Sequence, residues 1–259
     1  MQDLRITWHQ TPLHWENPKA NARLFLEENE YPETDLILLP EMFTTGFSMR
    51  TELAEEAGET ALNILRSLAR KTGAAVCGSS MYKDGDRFYN RLIFQKPDEK
   101  PLFYDKRHLF SLAGEEKKYT PGNTRLVAEW KSWKIFPLVC YDLRFPVWSR
   151  RTPENEYEVM LFLANWPDRR SYAWRTLLKA RAIENQAYVV GVNRVGADGN
   201  GIPHAGDSCA VSFSGKILRH SVPFRTEVQT VSLNKESLLR FRERLPFFND
   251  GDSFLLNGK

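Results

Sequence analysis

Ile135 to Val139 is a short unbroken apolar run, and Cys140-Tyr141-Asp142-Leu143-Arg144-Phe145-Pro146 ends it at once. A run of that length followed by charge and a Phe-Pro step constrains the chain to a buried strand that stops in a sharp polar turn. Such a turn lifts the first residue after the strand out of the sheet, and here that residue is a thiol. A lone cysteine most often packs as a small hydrophobe, so Cys140 gains meaning only from the company it keeps.

The same design recurs along the chain. Asp35-Leu36-Ile37-Leu38-Leu39 is an apolar strand ending in Pro40-Glu41, Val159 to Ala164 runs into Asn165-Trp166-Pro167, and Tyr188 to Val192 ends at Asn193-Arg194. Helices alternate with these strands. Asn17-Pro18 reads as cap and first turn of one that runs on through Leu24, Phe25 and Glu28, Thr60 to Lys71 carries Leu62, Leu65 and Leu68 on one face, and Ser171 reads as the cap of a third through Glu184. Further strands are expected at Leu4 to Trp8, Ala74 to Gly78, Phe88 to Gln95, Leu102 to Tyr104 and Glu227 to Leu233, with turns at Asp84-Gly85 and Ser214-Gly215 and a short last helix capped by Asn234. Ser111 to Asn123 reads as a loop. No linker or repeat divides residues 1–259, which predicts one α/β domain of stacked helix and sheet layers with mixed strand directions.

Composition narrows the function. With 42% hydrophobic residues the chain can bury a large core, and a formal charge of only +3, without a basic stripe, gives no reason to expect nucleic acid or an anionic membrane as partner. Asp3 and Arg5 interrupt any N-terminal secretory core and no apolar run approaches a membrane span, so a cytoplasmic location is expected. Cys77, Cys140 and Cys209 are odd in number and far apart, against a disulfide framework; no CxxC or HxxxH spacing suggests a metal.

Four strand ends carry chemically capable groups: Glu41, Lys106, Cys140 and Asn165. In layered α/β proteins the loops at one sheet edge converge, so a carboxylate, an ammonium and a thiol can meet there. Taken singly, Glu41 and Lys106 read as surface charges. Together they supply what a thiol near its ordinary pKa lacks, a base and a cation.

Leu39-Pro40-Glu41-Met42-Phe43, Tyr104-Asp105-Lys106-Arg107-His108-Leu109-Phe110 and Val139-Cys140-Tyr141-Asp142-Leu143-Arg144-Phe145-Pro146 resemble, in order, the three motifs of the nitrilase superfamily of carbon-nitrogen hydrolases; Arg181 to Val189 resembles a fourth. The resemblance covers the chain from its first strand to its last hairpin. It implies a single-domain α-β-β-α sandwich, a homodimer, no cofactor, and catalysis by Glu41, Lys106 and Cys140, with an oxyanion held by Lys106 and the backbone N–H of Tyr141. It also implies a second glutamate after Lys106, where Ala113-Gly114-Glu115 favours Glu115 over Glu116.

Cys140-Tyr141-Asp142 looks like the amidase branch, and Ala164-Asn165-Trp166-Pro167 is similar to bacterial omega-amidases, which implies terminal amides of small 2-oxo acids as substrates. A substrate with a carboxylate calls for a guanidinium, and Arg170 is the candidate. Phe43 and Trp166 are expected to wall the pocket; Arg144 and Arg181 are expected to be structural partners of Asp142 and Glu184. The rivals are an amidase or carbamoylase for another small acid, a non-catalytic binding module on the same fold, and a papain-like pairing of Cys140 with His108.

Overall fold

In a computed structural model describing residues 2–28, 30–252 and 254–256, every apolar run above is a strand. The first sheet holds β1 (Leu4–Gln10), β2 (Leu36–Leu38), β3 (Ala75–Asp84), β4 (Arg87–Gln95) and β5 (Leu102–Asp105). The second holds β6 (Ala128–Trp130), β7 (Trp133–Val139), β8 (Val159–Ala164), β9 (Tyr188–Asn193), β12 (Cys209–Val211) and β13 (Ile217–His220), while β14 (Glu227–Leu233) returns to pair with β1. Strand order is β14-β1-β2-β3-β4-β5 in one sheet and β13-β12-β9-β8-β7-β6 in the other. A small ribbon of β10 (Val195–Ala197) and β11 (Pro203–Ala205) stands apart. The helices are α1 (Pro18–Leu26), α2 (Ala54–Thr72), α3 (Pro146–Ser149), α4 (Ser171–Asn185) and α5 (Lys235–Arg244).

Alternation along each strand sorts side chains into layers. On β2, Leu36 and Leu38 face the second sheet and join Ile6, Trp8, Leu161 and Val190 in the core between sheets; Ile37 faces outward and meets Phe25 of α1 and Leu65 and Leu68 of α2. Cutting one fully buried leucine of this core to alanine costs about 2–5 kcal/mol. On the far side Trp174, Leu178 and Ala182 of α4 lie on β9, so tightly that a Cβ at Gly191 would come within 2.7 Å of both Trp174 and Leu178. The layers are helix, sheet, sheet, helix, as the motifs imply. Among the described residues no helix is long and apolar enough to cross a membrane.

Strand directions decide where the site forms. β1, β2 and β3 are parallel, as are β7, β8 and β9. β5 pairs antiparallel with β4, and β4 antiparallel with β3, so β5 runs with β2 and delivers Lys106 to the edge that carries Glu41.

Some boundaries differ from expectation. α1 closes at Leu26, short of Glu28. α2 starts at Ala54 rather than Thr60, because Ala54 and Ala57 gain cover from Met42, Met81 and Tyr119, contacts that helical periodicity does not encode. Ser171 is the first helical residue of α4 and not its cap; a 3-10 turn at Asp168–Arg170 leads straight in, and no side chain caps the helix. The 111–123 loop contains two 3-10 turns, Ser111–Ala113 and Glu115–Lys117. Asn17 and Asn234 do cap α1 and α5, accepting from Ala20 N at 3.0 Å and Ser237 N at 2.8 Å.

His9 on β1 packs against Phe25 and Tyr31, and among the described residues neither ring nitrogen has a hydrogen-bond partner. Burial lowers its pKa from 6.5 to about 4. A depressed folded-state pKa contributes stability that is whole above the unfolded value and lost as pH falls through the window between the two. Urea unfolding between pH 7.5 and 4.5 should therefore show stability falling below pH 6.5, with His9 supplying up to about 1.4 kcal/mol per pH unit. His204, also lowered to about 4 chiefly by burial, supplies a second such contribution. His9→Phe should flatten the curve by one proton's slope; parallel curves for the two proteins would show that His9 titrates normally in the fold.

Candidate active site

Beyond β2 the chain stays bonded to β3 through Leu39 N to Cys77 O, 2.8 Å, and Phe43 N to Ser79 O, 2.9 Å, with Met42 between them at φ +43. This turns the Glu41 carboxyl inward, where it is wholly buried. Its Oε1 accepts from Lys106 Nζ at 2.9 Å and Asn90 Nδ2 at 2.8 Å, and its Oε2 accepts from the backbone N–H of Asn165 at 2.8 Å. Asn165 also donates from its side chain to the Glu41 carbonyl. The end of β8 thus orients a glutamate from the other sheet.

Lys106 is gripped from two sides. Its Nζ donates to Glu115 at 3.1 and 2.9 Å as well as to Glu41, and all three side chains are inaccessible to solvent. Glu115 is brought there by a 3-10 turn entered through Gly114 at φ +74, and it accepts further from Phe110 N and Asn90 Nδ2. Glu116 is exposed, so of the two neighbours it is Glu115 that contacts Lys106. Desolvation opposes the ammonium, but the charges of Glu115 and Glu41 outweigh it and raise the Lys106 pKa. Burial, with the Glu41 charge added and Lys106 in opposition, raises that of Glu115. Two carboxylates around one ammonium leave a formal excess of one negative charge.

Cys140 follows β7 at φ +42, a strained setting for a residue with a side chain, costing about 1–3 kcal/mol. Asp142 holds the turn in place: its buried carboxylate accepts from Val139 N at 3.1 Å, Tyr104 OH at 2.8 Å and His108 N at 3.0 Å, and pairs with His108 Nδ1 at 2.8 Å. Sγ lies 4.0 Å from Asn165 O. Burial first, then the Glu41 carboxylate, push the thiol pKa well up, against the pull of Lys106. The sulfur is therefore a thiol at neutral pH with a carboxylate at hand to receive its proton.

Glu41, Lys106 and Cys140 line a cavity of about 530 Å³ whose wall includes Tyr141, Trp166 and Arg170. Two expectations fail here. Phe43 is fully buried against Phe25 and lies over Gly78, where a Cβ would come within 2.6 Å of its ring, so it is core and not cavity wall. Arg144 does not pair with Asp142, whose oxygens are taken by Val139, Tyr104 and His108; its guanidinium lies 4.9 Å over the Trp166 ring, in the cavity. Arg181 does pair with Glu184, at 3.0 Å. His108 is occupied with Asp142 and stacked on Phe145 at 3.8 Å, with no contact to Cys140, which removes the papain-like arrangement. Sequence reading missed Asn90, the buried donor shared by both glutamates and oriented by Ser79 Oγ at 3.0 Å; its only signal was an amide inside an otherwise strand-like run. Phe47, 5.1 Å from Lys106 Nζ, carried no signal at all.

Removing the cation tests this electrostatic account. Lys106→Met leaves two buried carboxylates facing each other and should cost about 3–5 kcal/mol at pH 7.5. Repulsion raises the folded-state carboxyl pKa further, so the folded form binds protons more tightly than the unfolded one and the deficit shrinks as pH falls. Urea midpoints at pH 7.5 and 5 should show the gap to wild type closing at the lower pH; a constant gap would mean that charge is not what the lysine compensates.

Comparison with known proteins places the chain in a family. The carbon-nitrogen hydrolase family matches residues 14–243. The chain is 43% identical to omega-amidase YafV of Escherichia coli K12, covering 99% of this chain and 100% of that one, and 31% identical to the 2-oxoglutaramate amidase of Bacillus subtilis, covering 95% and 96%. Its fold superimposes with a TM-score of 0.95 on XC1258 of Xanthomonas campestris, a CN-hydrolase superfamily protein solved with an arsenic adduct in its active site, at 41% identity over 99% of this chain and 100% of that one. The chain belongs to the carbon-nitrogen hydrolase family of the nitrilase superfamily.

Proposed function

We propose that the protein is an omega-amidase, hydrolysing the terminal carboxamide of a small 2-oxo acid such as 2-oxoglutaramate or 2-oxosuccinamate to the dicarboxylate and ammonia. The observation that carries this is the Lys106 ammonium held by two carboxylates beside a partly buried thiol on a cavity floor. The full-length similarity to an omega-amidase and a 2-oxoglutaramate amidase supports the substrate class.

In this reading Glu41 takes the proton of Cys140 as Sγ bonds to the amide carbon. The carbonyl oxygen becomes an oxyanion met by Lys106 Nζ and the N–H of Tyr141, each donor lowering the barrier by about 2.7–4 kcal/mol. Glu41 returns the proton to nitrogen as the C–N bond breaks and ammonia leaves, which produces a thioester. Water then attacks the thioester carbon, giving its proton to Glu41, and the thiol is restored as the acid departs. Glu115 keeps Lys106 charged and aimed. Arg170, over the Phe110 ring at 5.2 Å, receives the substrate carboxylate, and Trp166 walls the chain between. We further read residues 1–259 as one hydrolase domain, cytoplasmic and homodimeric. Exposed Tyr172 and Ile183 on α4, with Ile217 and Leu218 on β13, offer the apolar surface that pairing of two copies buries.

The test is ammonia release from 2-oxoglutaramate and 2-oxosuccinamate by wild type and Cys140→Ala, with intact mass of acid-quenched enzyme. Wild type should release ammonia and show a covalent acyl adduct, Cys140→Ala neither, and Glu41→Gln should lose at least about 100-fold in kcat. Turnover by Cys140→Ala would overturn the mechanism. A wild type that cleaves only unrelated amides would remove the substrate assignment and leave the mechanism standing.

A further inference from the structure

Arg144 and Arg170 stand on different elements, the turn after β7 and the turn before α4, yet both guanidiniums enter the cavity that holds Cys140. Each rests on an aromatic ring, Arg144 over Trp166 at 4.9 Å and Arg170 over Phe110 at 5.2 Å. The rings are themselves fixed. Trp166 donates from Nε1 to the Arg170 carbonyl at 2.9 Å and from its backbone to Asn193 Oδ1 at 2.8 Å, while the Phe110 N–H is bound to Glu115. Among the described residues neither guanidinium has a carboxylate within ion-pair distance. The other charges lining the cavity away from its floor are already satisfied or lie at its rim. Arg50 is held by Glu16 at 2.7 Å and Glu52 at 3.0 Å, Asp198 accepts from Asn200 N and Ile202 N at 2.8 and 2.9 Å, and Arg169 is exposed. Arg170 feels the crowding: burial first, then the charges of Arg169 and Arg144, lowers its pKa.

Two partly withdrawn, unpaired guanidiniums on rigid platforms form a site prepared for negative charge. The floor has the opposite character, because Glu41 and Glu115 exceed Lys106 by one negative charge. The cavity is thus polarised along its length. We infer that Arg144 acts with Arg170 as a two-cation clamp that sets specificity by charge, accepting amides whose far end is a carboxylate with a neutral, electron-rich neighbour such as a 2-oxo group, and rejecting those that carry an ammonium there. The inference rests on the amidase reading above and adds to it a specificity-determining residue, Arg144, and a class of excluded substrate, the 2-amino acid amides. A planar 2-oxo carboxylate presents three acceptor oxygens to two forks, whereas a 2-ammonium group places a third cation between two others. The polarity also sets direction: an anionic end is repelled from the glutamates, so the amide is the end that reaches Cys140. Hydrolysis creates a new carboxylate against that same negative floor, which favours release of the acid.

The experiment compares kcat/KM for succinamate, 2-oxosuccinamate, asparagine and butanamide, four amides of equal chain length, using wild type, Arg144→Gln, Arg144→Lys and Arg170→Gln. In wild type succinamate and 2-oxosuccinamate should far exceed asparagine and butanamide. Arg144→Gln should lower the succinamate-to-butanamide ratio by about 10–100-fold, mostly through KM, as expected for one charge-assisted contact. It should raise the asparagine-to-succinamate ratio at least about tenfold. Arg144→Lys keeps the charge without the fork, so it should still reject asparagine while recovering part of the succinamate preference. If Arg144→Gln leaves both ratios unmoved, lowering all four amides alike, Arg144 is a structural residue and the clamp is overturned. Wild-type inactivity on 2-oxosuccinamate alongside cleavage of succinamate would instead count against the omega-amidase assignment, with the charge ratios still deciding on the clamp.

Discussion

A buried ammonium between two buried carboxylates is the interaction on which the rest of this molecule depends. Taking three charges out of water is unfavourable by several kcal/mol per ion unless each is paired and further hydrogen-bonded. The bonding partners come from widely separated places: Glu41 from the end of β2, Lys106 from the end of β5, Glu115 and the Phe110 N–H from the following loop, Asn90 from β4 and the Asn165 N–H from the end of β8. The cluster therefore ties the catalytic edge of one sheet to that of the other. A change in how the sheets stack would leave at least one charge without its partner, so the site and the sandwich specify one another.

The nucleophile turn is held by a second, separate polar group. Cys140 occupies a positive φ because Asp142, two residues on, binds Val139 N behind it and Tyr104 and His108 beside it. Tyr104 accepts in turn from Trp148 Nε1 at 3.0 Å, so α3 braces the same turn. His108 and Tyr104 flank Lys106 in sequence, so the two buried polar groups share the segment that leaves β5. Local strain at the sulfur is thereby maintained by contacts made on the far side of the turn, out of reach of substrate.

How far the residues disclosed this arrangement depended on the range of the interactions involved. Strands and caps were legible because their causes are local: apolar runs for Leu36 to Leu38 and Val159 to Ala164, an amide side chain one residue before a first turn for Asn17 and Asn234. Glu41, Lys106 and Cys140 were legible as motifs, each a polar break at a strand end. Phe43 and Arg144 were misread for the same reason as each other. Both follow a motif residue by two or four positions, and which way such a side chain points is decided by what already fills the space: Phe25 and Gly78 draw Phe43 into the core, and Tyr104 with His108 leaves Arg144 no place on Asp142. Asn90 was not singled out, since an amide in a strand-like run does not by itself say which buried groups it will bind.

Most of the alternating strands and helices, and the polar breaks that carry Glu41, Lys106 and Cys140, were set by short-range pattern, because hydrophobic period, turn chemistry and residue spacing act within a few positions of the chain, while the preference for Glu115 over Glu116 came with the family resemblance. The tertiary structure alone decided that β5 runs with β2, that Asn90 and Asn165 orient the carboxylate, and that Arg144 joins Arg170 in the cavity. Each of these relations couples residues tens of positions apart, and their energies arise only when desolvated charges and packed rings compete for the same enclosed volume.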